Sequence, residues 1–130
     1  MIPQSWLVLG TASVLVGFLL YDVFGPKAGE GVNPDALVGK ASWYGEELRG
    51  RPMANGKPFD PDRLTCASWH WPLGARLRVT HGQRSIVVTV TDRGPNRRFP
   101  DRIVDLSYGA FAHLAHPDVG LIEVTVVQVP

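Results

Sequence analysis

Asp92-Arg93-Gly94-Pro95 sets a carboxylate beside a guanidinium and then turns the chain sharply. The run before it, Ser85 to Thr91, places Ile86, Val88 and Val90 on one face, and strict alternation continues that face to Asp92. A carboxyl at the end of an apolar stripe is partly withdrawn from water, which suits a general acid, whereas a neighbouring cation pulls the other way. The simpler role is a cap of the turn through its own backbone, and the spacing by itself favours that role. Asp105 is a second carboxylate, two residues ahead of a helix start, where it would complement the helix amino terminus. Trp43 and Tyr44 offer either an aromatic platform for a sugar or base, or filling for a small core. Arg97, Arg98 and Arg102 follow closely and could meet an anionic ligand.

Other reactive types are sparse. The single cysteine, Cys66, lies between Thr65 and Ala67 in an apolar run, so a buried small hydrophobe is expected rather than a nucleophile. His81, His113 and His116 are scattered through turn and helix positions, so neither a metal site nor a cofactor is expected. The net charge of +1 hides an uneven distribution, with twelve Lys/Arg against six Asp/Glu between Lys40 and Arg102. That excess fits an anionic partner, such as a cell-wall polymer, nucleic acid or phospholipid, and equally fits a surface made soluble by arginine.

The elements that must hold these residues read as short β-runs bounded by turn residues. Candidates are Gly39 to Tyr44, Leu64 to Trp69 and Arg76 to Thr80, the last with Leu77 and Val79 on one face. His81-Gly82-Gln83 makes a hairpin-sized turn into Ser85 to Thr91, a strand β-branched enough to be buried on both faces. Ile103 to Leu106 is short. Ser107 to Ala115 is helical, with Ser107 as N-cap and Ala110, Phe111 and Leu114 on one face, and Leu121 to Val129 closes the domain. Gly50 to Asp62, rich in turn signals and including Asn55-Gly56, is a candidate groove wall. Six strands and one short helix in some ninety residues imply a compact, mainly β barrel over residues 39–130.

Ahead of it, residues 2–21 carry no charge and would span roughly 30 Å as a helix, the thickness of a bilayer core. Trp6 and Tyr21 lie near the two ends of the run. Met1 to Ser5 has no Lys or Arg, and the apolar run is long for a cleaved signal, so an uncleaved transmembrane anchor over 1–24 is expected. No cysteine follows for a lipid anchor until Cys66. Residues 25–38, rich in Gly, Pro and polar residues, read as a linker.

Five blocks then align in order. They are Gly39-Lys-Ala-Ser-Trp-Tyr-Gly45, Ala54-Asn-Gly56 with Phe59-Asp60, Pro72-Leu-Gly74, Thr91-Asp-Arg-Gly-Pro95 and Ile103-Val-Asp-Leu-Ser107. Together they resemble the RlpA family across residues 39–129. The resemblance implies a six-stranded double-psi β-barrel related to expansins. It further implies a septal-ring lytic transglycosylase acting on peptide-free peptidoglycan glycan strands. Such an enzyme protonates the glycosidic oxygen and closes the sugar's own 6-hydroxyl into a 1,6-anhydro product. The resemblance makes Asp92 the acid/base, and Trp43, Tyr44, Asn55, Arg93 and Asp105 are candidate substrate contacts. The family's Thr-Ala-Ala-His block reads Thr65-Cys-Ala-Ser68 here, so Ser68 stands at the histidine position and His70 follows two residues later. Both are candidate assistants to Asp92. Without a titratable group there, an expansin-like module that binds glycan without cutting it is the alternative. With a membrane anchor ahead of the barrel, the domain is expected in the periplasm or cell envelope. Nucleic acid is not an expected partner, and the sequence fixes no oligomeric state.

Overall fold

The computed structural model describes residues 34–130. The expected transmembrane helix, and the linker up to residue 33, lie outside the described residues. No helix among those described is long and apolar enough to cross a membrane.

Six strands form the body of the domain: β1 Leu37–Tyr44, β2 Thr65–Ala67, β3 Arg76–His81, β4 Arg84–Asp92, β5 Arg102–Ser107 and β6 Ile122–Val129. They close into a barrel in the order β1-β5-β2-β4-β3-β6. β1 with β5 and β2 with β4 run parallel, whereas the other pairs are antiparallel. Full closure leaves no free sheet edge. β1 starts at Leu37, so two residues read as linker already pair with β6.

Alternation drives the inward faces. Leu77, Val79, Val88, Val90, Val104, Leu106, Val124 and Val126 meet inside the barrel, with Cys66 among them. Burial pushes the Cys66 thiol up to about 12, with help from the Asp105 charge, so it is an inert core group. The helix α1, Tyr108–Leu114, closes one end with Ala110, Phe111 and Leu114, and Ser107 Oγ caps it by accepting the Ala110 N–H. Gly82, at φ +60, makes the tight turn from β3 to β4.

Two expectations change. β4 is not buried on both faces: Val88 and Val90 point inward, but Val87, Thr89 and Thr91 line an open cavity of about 700 Å³. β2 is three residues rather than six, because the chain bends after Ala67. Ser68 Oγ accepts the His70 N–H, a local bond that competes with the ladder, and Arg93 Nη1 grips the carbonyls of Ser68 and Trp71.

The polar segment after β1 is an ordered hairpin flap. Gly50 and Phe59 pair through their backbones, Pro52 bridges Pro58, and Met53 N donates to Lys57 O. Phe59 stacks on Tyr44 with ring centroids 4.4 Å apart, making with Ala67 a second small core outside the barrel. At the flap base, Arg49 joins Glu46, Asp60 and Asp62.

Candidate functional site

Strand register assembles the site. Ser42 pairs with Asp105 across β1–β5, Asp105 with Ala67 across β5–β2, and Ala67 with Asp92 across β2–β4. Directly paired residues share a face, so one row runs Ser42, Asp105, Ala67, Asp92 across four strands. The two aspartate Cα atoms stand two strand spacings apart, roughly 10 Å, with Ala67 between them in the row and packed with Tyr44 and Phe59.

Asp92 joins this row through a bulge. β2 advances from Cys66 to Ala67 while β4 advances from Val90 to Asp92, so Thr91 is the extra residue. Strict alternation, which aligned Asp92 with the inward Val88 and Val90, therefore fails at the last step. The carboxylate instead meets the flap: Asp92 Oδ1 accepts the N–H of Ala54 at 2.9 Å and of Arg93 at 2.8 Å. The bond to Arg93 N is the expected local turn cap. The bond to Ala54 N is long-range, and Asn55 N donates to Thr91 O beside it.

Asp105 has the more unusual surroundings. Burial pushes its carboxyl from 3.8 up to about 6, and the negative charge of Asp92 adds to the rise. The Ser42 hydroxyl, which donates to Asp105 Oδ1 at 3.2 Å, and the Arg102 charge oppose it. Asp105 thus sits mid-row between strands rather than serving the helix start. Tyr44 lies near both carboxylates. Its hydroxyl is buried without a partner, and burial followed by the charges of Asp92 and Asp105 pushes its titration upward.

Trp43 and Tyr44 do not form one platform, because adjacent strand residues face opposite ways. Trp43 packs edge-on against Tyr108 and donates Nε1–H to Pro117 O, whereas Tyr44 lies under the flap on Phe59. Ser68 is fully buried, with its hydroxyl donated to Ile103 O at 3.0 Å. His70 turns outward against Trp71, and no hydrogen bond among the described residues joins it to Asp92 or Asp105. Arg93 points its guanidinium at the 68–71 bend rather than into solvent. Asn55 Oδ1 accepts Lys57 N–H at the flap tip and lines the cavity beside Thr65 and Thr91, whose buried hydroxyls have no partner.

Three participants escaped the sequence reading: Ser42, the Ala54 amide and Trp69. Ser42 shares strand parity with Tyr44, but only the β1–β5 register reveals its partner. Trp69 is 44% exposed, with its indole N–H donated to Pro95 O at 2.7 Å and the Arg97 guanidinium 3.8 Å over its ring.

The family described as lytic transglycolase matches residues 36–126. The chain is 39% identical over 92 residues to the endolytic peptidoglycan transglycosylase RlpA of Pseudomonas aeruginosa, covering 69% of this chain and 26% of that protein. It thus spans about a quarter of the length of the first curated relatives it matches. Among solved structures, a Streptomyces papain inhibitor aligns with a TM-score of 0.62 at 28% identity, covering 75% of this chain and 96% of that one. The apo expansin of Clavibacter michiganensis aligns with a TM-score of 0.58 at 25% identity, covering 73% of this chain and 50% of that one.

Proposed function

The chain belongs to the RlpA-like lytic transglycosylase family of double-psi β-barrels, and from that premise we propose that it cleaves peptide-free peptidoglycan glycan strands to 1,6-anhydro-muramyl ends. The observation that carries this reading is the Asp92–Ala67–Asp105 row. Two carboxyls stand on one face on either side of Ala67, and one of them is held up to about 6.

In the proposed mechanism Asp105, protonated below about pH 6, donates its proton to the glycosidic oxygen as the C1–O bond breaks. The leaving sugar takes that proton as its new hydroxyl. Positive charge develops at C1 and the ring oxygen, and the Asp92 carboxylate, held by the Ala54 and Arg93 amides, stabilises it. Asp92 then accepts the proton of the 6-hydroxyl as that oxygen bonds C1. Transfer of this proton back to Asp105 restores the enzyme, and no water is consumed. Ser42 holds Asp105 in place, and the flap covers the row beside Asp92. Ser68 and His70 take no proton in this scheme.

The second reading is an expansin-like module that holds glycan uncut. The buried, committed hydroxyl of Ser68 favours it, because no imidazole stands at the family's histidine position. In either reading residues 2–21 would anchor the protein in a membrane, with the barrel in the periplasm or cell envelope, a placement supported by twenty uncharged residues.

The deciding experiment incubates the full chain with peptide-free glycan strands and reads products by mass spectrometry. Anhydro-muramyl ends are expected, with a loss of about a hundredfold or more in both Asp92→Asn and Asp105→Asn. Binding without such ends would leave the non-catalytic module standing.

A further inference from the structure

We propose that Trp69 and Arg97 form a carboxylate-reading subsite beside the Asp92–Asp105 row, taking the free acid group of an acidic sugar in the strand. The inference rests on the glycan reading above but concerns what the groove recognises, not whether it cuts.

The geometry is that of a presented cation. The Trp69 ring is fixed by its N–H bond to Pro95 O, on the turn that leaves Asp92 and Arg93. The Arg97 Cζ sits 3.8 Å over this ring while the side chain remains exposed, so the charge is held at the surface on an aromatic face. Among the described residues Arg97 has no carboxylate partner, in contrast to Arg49, which has three. An exposed arginine ordinarily gives up much rotational freedom when it binds. An aromatic seat removes part of that cost beforehand and holds the planar fork ready for two parallel hydrogen bonds to a carboxylate.

The subsite is rigidly linked to the row. Ser68 N donates to Asp92 O at 3.1 Å, immediately before Trp69. Arg93 Nη1 then clamps the Ser68 and Trp71 carbonyls on either side of it, at 2.8 and 2.7 Å. A strand lying over Asp92 therefore passes beside Arg97. In a peptide-free strand each muramyl unit ends its lactyl group in a free carboxylate. Where a peptide is attached, the same carbon is an amide, which gives a guanidinium no charge to pair with.

Two other arginines sharpen the assignment. Arg102 also rests on an aromatic face, Phe99 at 4.2 Å, but its charge acts on Asp105, so altering it would disturb the row itself. Arg98 is exposed in the same loop without an aromatic seat and serves as the control.

The test measures binding of the full chain to three ligands: peptide-free glycan strands, the same strands with lactyl carboxyls converted to methylamides, and neutral chitin oligosaccharides. The wild type is expected to prefer the free acid about tenfold over the amide. Arg97→Gln should erase that preference, Trp69→Leu should narrow it, and Arg98→Gln should preserve it. Equal affinity of the wild type for acid and amide would overturn the subsite. So would equal losses in Arg97→Gln and Arg98→Gln, which would mean diffuse charge. A preference that holds while no anhydro ends form would remove the catalytic reading and keep the subsite.

Discussion

At Ser68 the hydroxyl donates to Ile103 O and accepts the His70 N–H, so both of its hydrogen-bonding roles are filled within the scaffold. A side chain so placed holds β5 to the bend after β2. Ser68→Ala would leave a buried carbonyl and an amide short of partners, at a cost of about 1–3 kcal/mol. Thermal unfolding should therefore shift down by several degrees for a domain of this size. An unchanged midpoint would show that the two bonds contribute nothing and would reopen a role for the hydroxyl in the groove. Asp105 differs from Ser68 in kind. Burial raises the free energy of its charged form, which suits the proton-donor role proposed for it above.

At the scale of elements, the site depends on a small residue on a three-stranded seam. Ala67 pairs with both aspartates, and a Cβ built on Gly94 would come within 3.3 Å of the Ala67 Cβ, so neither position has room to grow. Ala67→Val should push against Tyr44 and Phe59 between the carboxyls and cost about 1–3 kcal/mol through overpacking. Anhydro-end formation is expected to fall at least about tenfold, more than any loss of folded protein measured by circular dichroism accounts for. Much of this scaffold was legible in the sequence because its signals are local. The alternation of Leu77 and Val79 located β3, and Ser107 with Ala110, Phe111 and Leu114 located the helix and its buried face. The five motif blocks brought Asp92 and Asp105 together as candidates. What escaped is set by pairs distant in sequence: Ser42 with Asp105, Arg93 with Ser68 and Trp71, and the bulge that re-aims Asp92. Periodicity within a strand carries no record of its partner's register, so the alternation through Val90 could not anticipate that step.

For the domain as a whole, a closed barrel with a packed apolar interior supplies the stability that a poorly solvated carboxyl subtracts. Asp105 titrates near 3.8 in the unfolded chain and at about 6 in the folded one. Between those values the folded state binds more protons than the unfolded state, so the slope of unfolding free energy with pH is negative. The contribution of Asp105 is thus neutral below about pH 4, becomes increasingly destabilising up to about pH 6, and is constant above. Glu46, lowered by its bond with Arg49, acts in the opposite direction, so the wild-type curve alone does not isolate Asp105. The difference between wild type and Asp105→Asn does. Denaturant unfolding should give equal stabilities near pH 3.5 and a gap favouring the variant that opens through pH 4–6, reaching on the order of 2–3 kcal/mol at most. A variant that is more stable yet inactive would identify Asp105 as a position where stability is given up for chemistry. A gap that stays constant across that window would mean that the buried carboxyl is not the proton carrier.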